Sequence, residues 1–193
     1  MNSGGLPDGV TVRSLLAHAD ERGGLTEVFR SATGNAGSIA QFNVVESRSG
    51  ALRGVRLDAR RVEHLTVMGG RAIVGLIDCR EGSPTFKASA TVPLGSLDRS
   101  LAIPAGVAHG IWLPRGGTTL HGYDAEWSST DEMRCRWDDP DVAISWHRHG
   151  DEHPARRLGG PLVSFADRTA GTFSDMLSCY HARVDQSESA RAI

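Results

Sequence analysis

Apolar and β-branched residues recur along the chain in short runs separated by Gly, Pro, Asn and Asp. The runs at 39–45, 64–67, 72–77, 90–94, 100–103 and 109–113 alternate or stay apolar over strand lengths, which predicts β-strands. Turn signals fall at 68–71 and 115–117. Strands this short and closely spaced predict an all-β sandwich or barrel. Only 12–19 and 174–184 have helical length and composition, so one short helix is expected near each end. The polar residues beyond 185 predict a frayed tail. No repeat, linker or low-complexity block interrupts the pattern, so one domain over 1–193 is expected, with its core at about 20–170.

Composition narrows the function. Hydrophobic residues make up 39% of the 193 positions, enough for a packed core. Lys+Arg is 21 against 23 Asp+Glu, so the basic excess of a nucleic-acid binder is missing. No apolar run is long enough to span a membrane. Residues 1–9 are polar and lack the apolar stretch of a signal peptide, so a cytoplasmic location is expected. Cys79, Cys135 and Cys179 are odd in number and share no CxxC spacing, which argues against a disulfide framework or a zinc site.

Four stretches carry a resemblance. They are Asp20-Glu21-Arg22-Gly23-Gly24-Leu25-Thr26-Glu27-Val28-Phe29, Gln41-Phe42-Asn43 with Gly50-Ala51-Leu52-Arg53-Gly54-Val55-Arg56, Ser83-Pro84-Thr85-Phe86 with Ile103-Pro104-Ala105-Gly106-Val107-Ala108-His109-Gly110, and Glu132 with Trp137-Asp138-Asp139-Pro140 and Ser164-Phe165-Ala166-Asp167-Arg168. In this order they resemble the dTDP-4-dehydrorhamnose 3,5-epimerase family. The resemblance implies a cupin-type jelly-roll barrel, no cofactor and no metal. It also implies a homodimer whose N-terminal strands cross to the partner, and a small-molecule substrate such as a dTDP-sugar. Family members move protons at carbons flanking a sugar ketone, which needs a base, an acid and donors to hold the enolate. The resemblance places Arg22, Glu27, Gln41, Asn43, Arg53 and Glu132 at substrate-binding positions and His109 in the sugar site.

The chain departs from the family at both proton-transfer positions. Arg56 stands where the family has its base His, and Trp127 where it has its acid Tyr. A guanidinium does not act as a general base, and an indole does not donate a proton at ordinary pH. Asp167, which would steady the family His, is expected to pair with Arg56. A Lys of the family on the following strand is either replaced by Glu63 or lost with the shorter 57–62 loop, and an acidic group there is expected to repel a diphosphate unless it points away. His121 is the one new titratable ring near the altered wall, either a replacement base or a strand residue facing solvent.

A metal site is not expected, because the one H-x-H, His147-Arg148-His149, sits in a polar loop without a partner Glu. Two functions remain. One is an epimerase-like isomerase, or a rewired cyclase or lyase on the same fold, of a specialised biosynthetic pathway, in which Arg53 and Arg56 hold an enolate and His109 or His121 shuttles the proton. The other is a catalytically inactive relative that binds a ligand or supports a partner enzyme.

Overall fold

The computed structural model describes residues 5–31, 38–126, 128, 131–146 and 153–191. The described residues form eleven strands: β1 Thr11–Ser14, β2 Ala17–Asp20, β3 Gly23–Thr26, β4 Gln41–Ser47, β5 Ala51–Asp58, β6 Glu63–Asp78, β7 Ser89–Gly95, β8 Arg99–Ile103, β9 Val107–Leu113, β10 Gly117–Tyr123 and β11 Glu132–Arg134. Two α-helices follow, α1 Phe165–Arg168 and α2 Phe173–Arg191.

The architecture turns on β6. Its first half pairs with β8 and β10, and its second half pairs with β7 and β9. One layer therefore runs β1-β8-β6-β10-β4 and the other β7-β6-β9-β5-β11. The 68–71 turn signal is where β6 passes from one layer to the other: Gly70 has φ 87°, and the pairing with β10 skips Met68. The arrangement is a cupin-type jelly roll.

Burial follows the alternation of side chains along each strand. Val74 and Leu76 of β6, Leu94 of β7, Leu101 of β8 and Ile111 of β9 fill the space between the layers. On the other face, Ile73, Ile77 and Trp112 pack beneath Trp146, Phe173, Met176 and Tyr180. The second half of β6 is covered on both faces, hence its unbroken apolar run. Trp146 fits because Gly75 and Gly110 are register partners; a Cβ on Gly75 would come within 2.9 Å of its ring.

The ends differ from the predicted helices. Residues 12–19 lie in β1 and β2, because pairing with β8 extends an existing sheet, whereas a helix of that length is marginal in water. β2 and β3 form a separate exposed hairpin. The tail does not fray at 185, since α2 continues to Arg191. Thr172 and Asp175 cap its start reciprocally, and Phe173, Met176 and Tyr180 anchor one stripe to the core. Strands β3, β5, β10 and β11 fall outside the predicted runs. Among the described residues, no helix is long and apolar enough to cross a membrane.

Candidate functional site

A cavity of about 300 Å³ opens between the layers. Its polar lining comes from Asn43 on β4, Arg53 and Arg56 on β5, Glu63 on β6, His109 on β9, His121 and Tyr123 on β10, and Glu132 on β11, with Asp58 and Arg61 at and after the end of β5. Val45, Ile103, Val107 and Ile111 supply apolar wall.

The two arginines share this wall because β5 is irregular. In a regular strand, residues 53 and 56 point to opposite faces. Here Arg53 pairs with Ile111 and Arg56 with His109, so three steps along β5 match two along β9. This bulge turns both guanidinium groups inward. Gly54 sits at the irregularity with φ 98°, and a Cβ there would lie 2.7 Å from the His109 carbonyl oxygen. Burial and the neighbouring Arg56 charge lower the Arg53 pKa. Arg53 nonetheless stays cationic at working pH, so two like charges face one space and favour an anion between them.

On the facing wall, Glu63 is buried between two imidazoles. His121 Nδ1 is 2.6 Å from Glu63 Oε1, and His109 Nε2 is 3.3 Å from Oε2. The far nitrogen of His121, Nε2, is 2.8 Å from Thr119 Oγ1. A carboxylate only accepts, so each ring donates to Glu63; Thr119 Oγ1 also lies 3.5 Å from the Val45 carbonyl oxygen, to which its hydroxyl donates. His109 Nδ1 is buried without a hydrogen-bond partner among the described residues. Burial raises the Glu63 pKa, but the two histidines outweigh it and hold the carboxyl well below its usual range. For His109, burial lowers the pKa, and the Glu63 charge and hydrogen bond reverse this and raise it. Tyr123 lies beside this group with the Arg61 guanidinium 4.8 Å over its ring, and burial keeps its phenol protonated well above the usual range.

Behind Arg56 lies an ionic network. Arg56 is 3.6 Å from Glu132 and 3.7 Å from Asp167, while Arg134 contacts Glu132 and lies 3.6 Å from Asp167. The Ser164 hydroxyl accepts from the Asp167 N–H at 3.0 Å, capping α1 and aiming the carboxylate at both guanidinium groups. The expected Arg56–Asp167 pair is therefore present.

Of the residues singled out from sequence, Asn43, Arg53, Arg56, His109, His121 and Glu132 meet at the cavity, with Asp167 behind them. Gln41 donates to Asn43 Oδ1 at 2.9 Å. Arg22 and Glu27 stay away from it: Arg22 pairs with Asp20, and Glu27 with Arg30 and Arg13. Trp127, His147 and His149 lie outside the described residues. Glu63 is not an isolated repulsive charge, since two imidazoles lie within 2.6 and 3.3 Å of its oxygens. His121 faces the cavity rather than solvent, with both nitrogens engaged. Sequence reasoning misses Thr119, Tyr123, Asp58 and Arg61. Reading 117–123 as an alternating strand puts Thr119, His121 and Tyr123 on one face. Among the described residues, no group of three or more His, Cys, Asp or Glu side chains is arranged to hold a metal ion. Burial pushes the Cys79 and Cys135 thiols up to about 12, so neither is a nucleophile at working pH.

The fold and the cavity define a cupin-type jelly-roll protein with a polar-lined cavity between its layers. The dTDP-4-dehydrorhamnose 3,5-epimerase family profile matches residues 6–175, and the chain belongs to that family. It is 30% identical over 177 residues to dTDP-4-dehydrorhamnose 3,5-epimerase of Streptomyces griseus, covering 87% of this chain and 84% of the relative. Against dTDP-4-dehydro-6-deoxyglucose 3-epimerase of Streptomyces bikiniensis it is 26% identical over 200 residues, covering 95% and 97%. Among solved structures, the rmlC epimerase of Mycobacterium tuberculosis superposes with a TM-score of 0.78 at 25% identity, over 89% of this chain and 88% of that one.

Proposed function

We propose that the protein is an epimerase-like isomerase acting on a nucleotide-linked 4-keto sugar through a stabilised enolate. The observation that carries this reading is the pair of inward guanidinium groups, Arg53 and Arg56, facing a cavity that also holds His109 and Tyr123. A carbon beside a ketone becomes acidic when donors hold the developing oxyanion. Arg53 and Arg56 supply those donors. His109 or His121 moves the proton, and Tyr123, on the facing layer, is a neutral acid able to return one. Asp167 and Glu132 hold Arg56 in place.

The chain is read as one domain that works without a cofactor, in the cytoplasm and in a specialised biosynthetic pathway. It is also read as a homodimer, supported by the exposed Phe42 and Val44 on β4, which pairs only with β10 among the described strands, and by the exposed Leu25 on the hairpin. Arg22 and Glu27, which do not line their own cavity, then stand near the partner's.

The test is deuterium exchange in heavy water with dTDP-4-dehydro-6-deoxyglucose, followed by NMR at sugar carbons 3 and 5. Exchange at either carbon supports the enzyme. Binding without exchange turns the reading to an inactive ligand-binding relative. Neither exchange nor binding removes the nucleotide sugar altogether.

A further inference from the structure

We propose that Arg61, fixed by Asp58, is a positioning residue that holds Tyr123 as the proton-returning acid of the cavity. The proposal rests on the carbon-acid reading above and locates its acid, since an indole at position 127 does not donate a proton at ordinary pH.

The arrangement starts in the turn after β5. Asp58 Oδ1 accepts the backbone N–H groups of Arg60 and Arg61, each at 2.9 Å, which fixes the turn. Its other oxygen accepts from Arg61 Nε at 2.6 Å and from Arg61 Nη2. The guanidinium is thereby held, and its side chain is only 6% exposed. The remaining nitrogen, Nη1, is buried without an acceptor among the described residues. A buried cation short of an acceptor is costly unless something else compensates its charge. Here the Tyr123 ring does so, with its centroid 4.8 Å from the guanidinium carbon. The His121 ring also stacks on Tyr123, the planes 19° apart and the centroids 6.4 Å apart. Tyr123 is thus held by its ring, and the hydroxyl is left over. That hydroxyl makes no hydrogen bond among the described residues, yet it is not one of the buried atoms without a partner. It is therefore open to the cavity that Tyr123 lines.

The step follows. Arg53 and Arg56 hold the enolate oxygen from β5, and Tyr123 meets the enolate carbon from β10. The phenol O–H bond breaks and its proton goes to that carbon. The enolate electron pair forms the new C–H bond as the carbonyl returns, and the O–H pair stays on the phenolate, which solvent reprotonates. The phenolate is a transient charge in a buried place, and a cation over the ring face stabilises it. The charged and titratable groups facing Tyr123 are Arg61 with Asp58 behind it, Glu63 from β6, Arg56 from β5, Glu132 from β11 and His121 from β10. Burial, Glu63 and Glu132 disfavour the phenolate, whereas Arg61 and Arg56 favour it. Of these two cations, Arg61 is the one over the ring.

The experiment follows the phenol directly. The chain has two tyrosines, Tyr123 and Tyr180, so a ring-fluorinated tyrosine, whose phenol titrates nearer neutrality, gives two fluorine NMR signals that Tyr123→Phe assigns. The Tyr123 midpoint is expected about one pH unit higher in Arg61→Met than in wild type, because the cation over the ring is gone. With dTDP-4-dehydro-6-deoxyglucose in heavy water, NMR also reads deuterium exchange and inverted product separately. Y123F is expected to keep exchange, which needs only the base, and to lose inverted product about 100-fold. R61M is expected to lose inverted product about 10-fold while dTDP affinity holds. A merely structural Arg61 would lower stability and leave the midpoint in place. An unmoved midpoint, or undiminished inverted product in Y123F, overturns the proposal. If R61M does not fold, Arg61→Gln keeps a donor for Asp58 and removes the charge; the same rise is expected, and no rise is fatal. If wild type itself shows no exchange, the nucleotide-sugar reading fails by itself, and the midpoints still decide whether Arg61 acts on Tyr123.

Discussion

The Arg56 guanidinium ends 3.7 Å from the carboxylate of Asp167, a side chain only 1% exposed. Arg134 approaches the other oxygen at 3.6 Å, and that oxygen accepts no hydrogen bond among the described residues. Charge rather than directed hydrogen bonding therefore holds the group. Asp167→Asn keeps the shape and removes the charge. Breaking a fully buried pair costs about 3–5 kcal/mol; both arginines here are about a third exposed, so solvent screens part of it. A loss of about 2 kcal/mol is expected in urea unfolding, and an unchanged midpoint would show that the network adds nothing.

Arg53 is held by Ser47 Oγ at 2.9 Å and the Glu46 carbonyl at 3.1 Å, leaving its position independent of Asp167. Arg53→Met keeps the aliphatic stem and removes one oxyanion donor. Loss of such a donor lowers kcat by about 100-fold or more, with a smaller change in KM. Steady-state kinetics on the nucleotide sugar check this, and a pure KM effect would make Arg53 a binding residue only.

How much of this was legible in the chain depends on what breaks the period. The runs that became β6, β7, β8 and β9 alternate or stay apolar and read directly. Strand β5 does not: Leu52, Val55 and Leu57 face one side only because the bulge at Gly54 adds a residue, so the pattern has no period of two. The same bulge brings Arg53 and Arg56 together, and it can be seen only in the pairing with β9. Arg56 beside Asp167 could be expected from the resemblance. The role of Glu63 could not, because its partners arrive from β9 and β10, and a lone acidic residue beside an apolar run reads as a misplaced charge.

Gly54 is expected to tolerate no side chain. Its φ is 98°, and a Cβ at this position would meet the His109 carbonyl oxygen at 2.7 Å, so Gly54→Ala strains the backbone and presses β5 off β9. A loss of about 2 kcal/mol or more is expected, along with reduced exchange as Arg53 and Arg56 lose their shared wall. Thermal unfolding and the exchange assay read the two effects separately, and a variant as stable as wild type would count against the bulge as the placing element.

The Glu63–His109 pair gives a pH signature. Glu63 is held below its ordinary pKa, so its contribution is present above about 4.3 and lost as pH falls toward the folded value. His109 is raised, so its contribution is present below about 6.5 and lost as pH rises through the folded value. A double-mutant cycle of Glu63→Gln and His109→Asn should therefore show its largest coupling between about pH 4.5 and 6.5. Coupling well above the folded His109 value should be smaller, and a value independent of pH would mean that the two groups do not share charge.

The outer face of β4 argues for a second copy. Phe42 and Val44 are 54% and 64% exposed on a strand whose far edge has no partner among the described residues, and Leu25 on the hairpin is 65% exposed. An unpaired edge flanked by apolar side chains invites another chain. A dimer is expected in sedimentation at micromolar concentration. Val44→Lys places a charge where a partner would pack and is expected to give monomers that keep their fold, since Val44 points away from the protein's own core. If Arg22 and Glu27 serve the partner's cavity, these monomers lose affinity for dTDP while the His109 titration stays as in wild type. Monomers that bind dTDP as tightly as the wild-type protein would confine the site to a single chain.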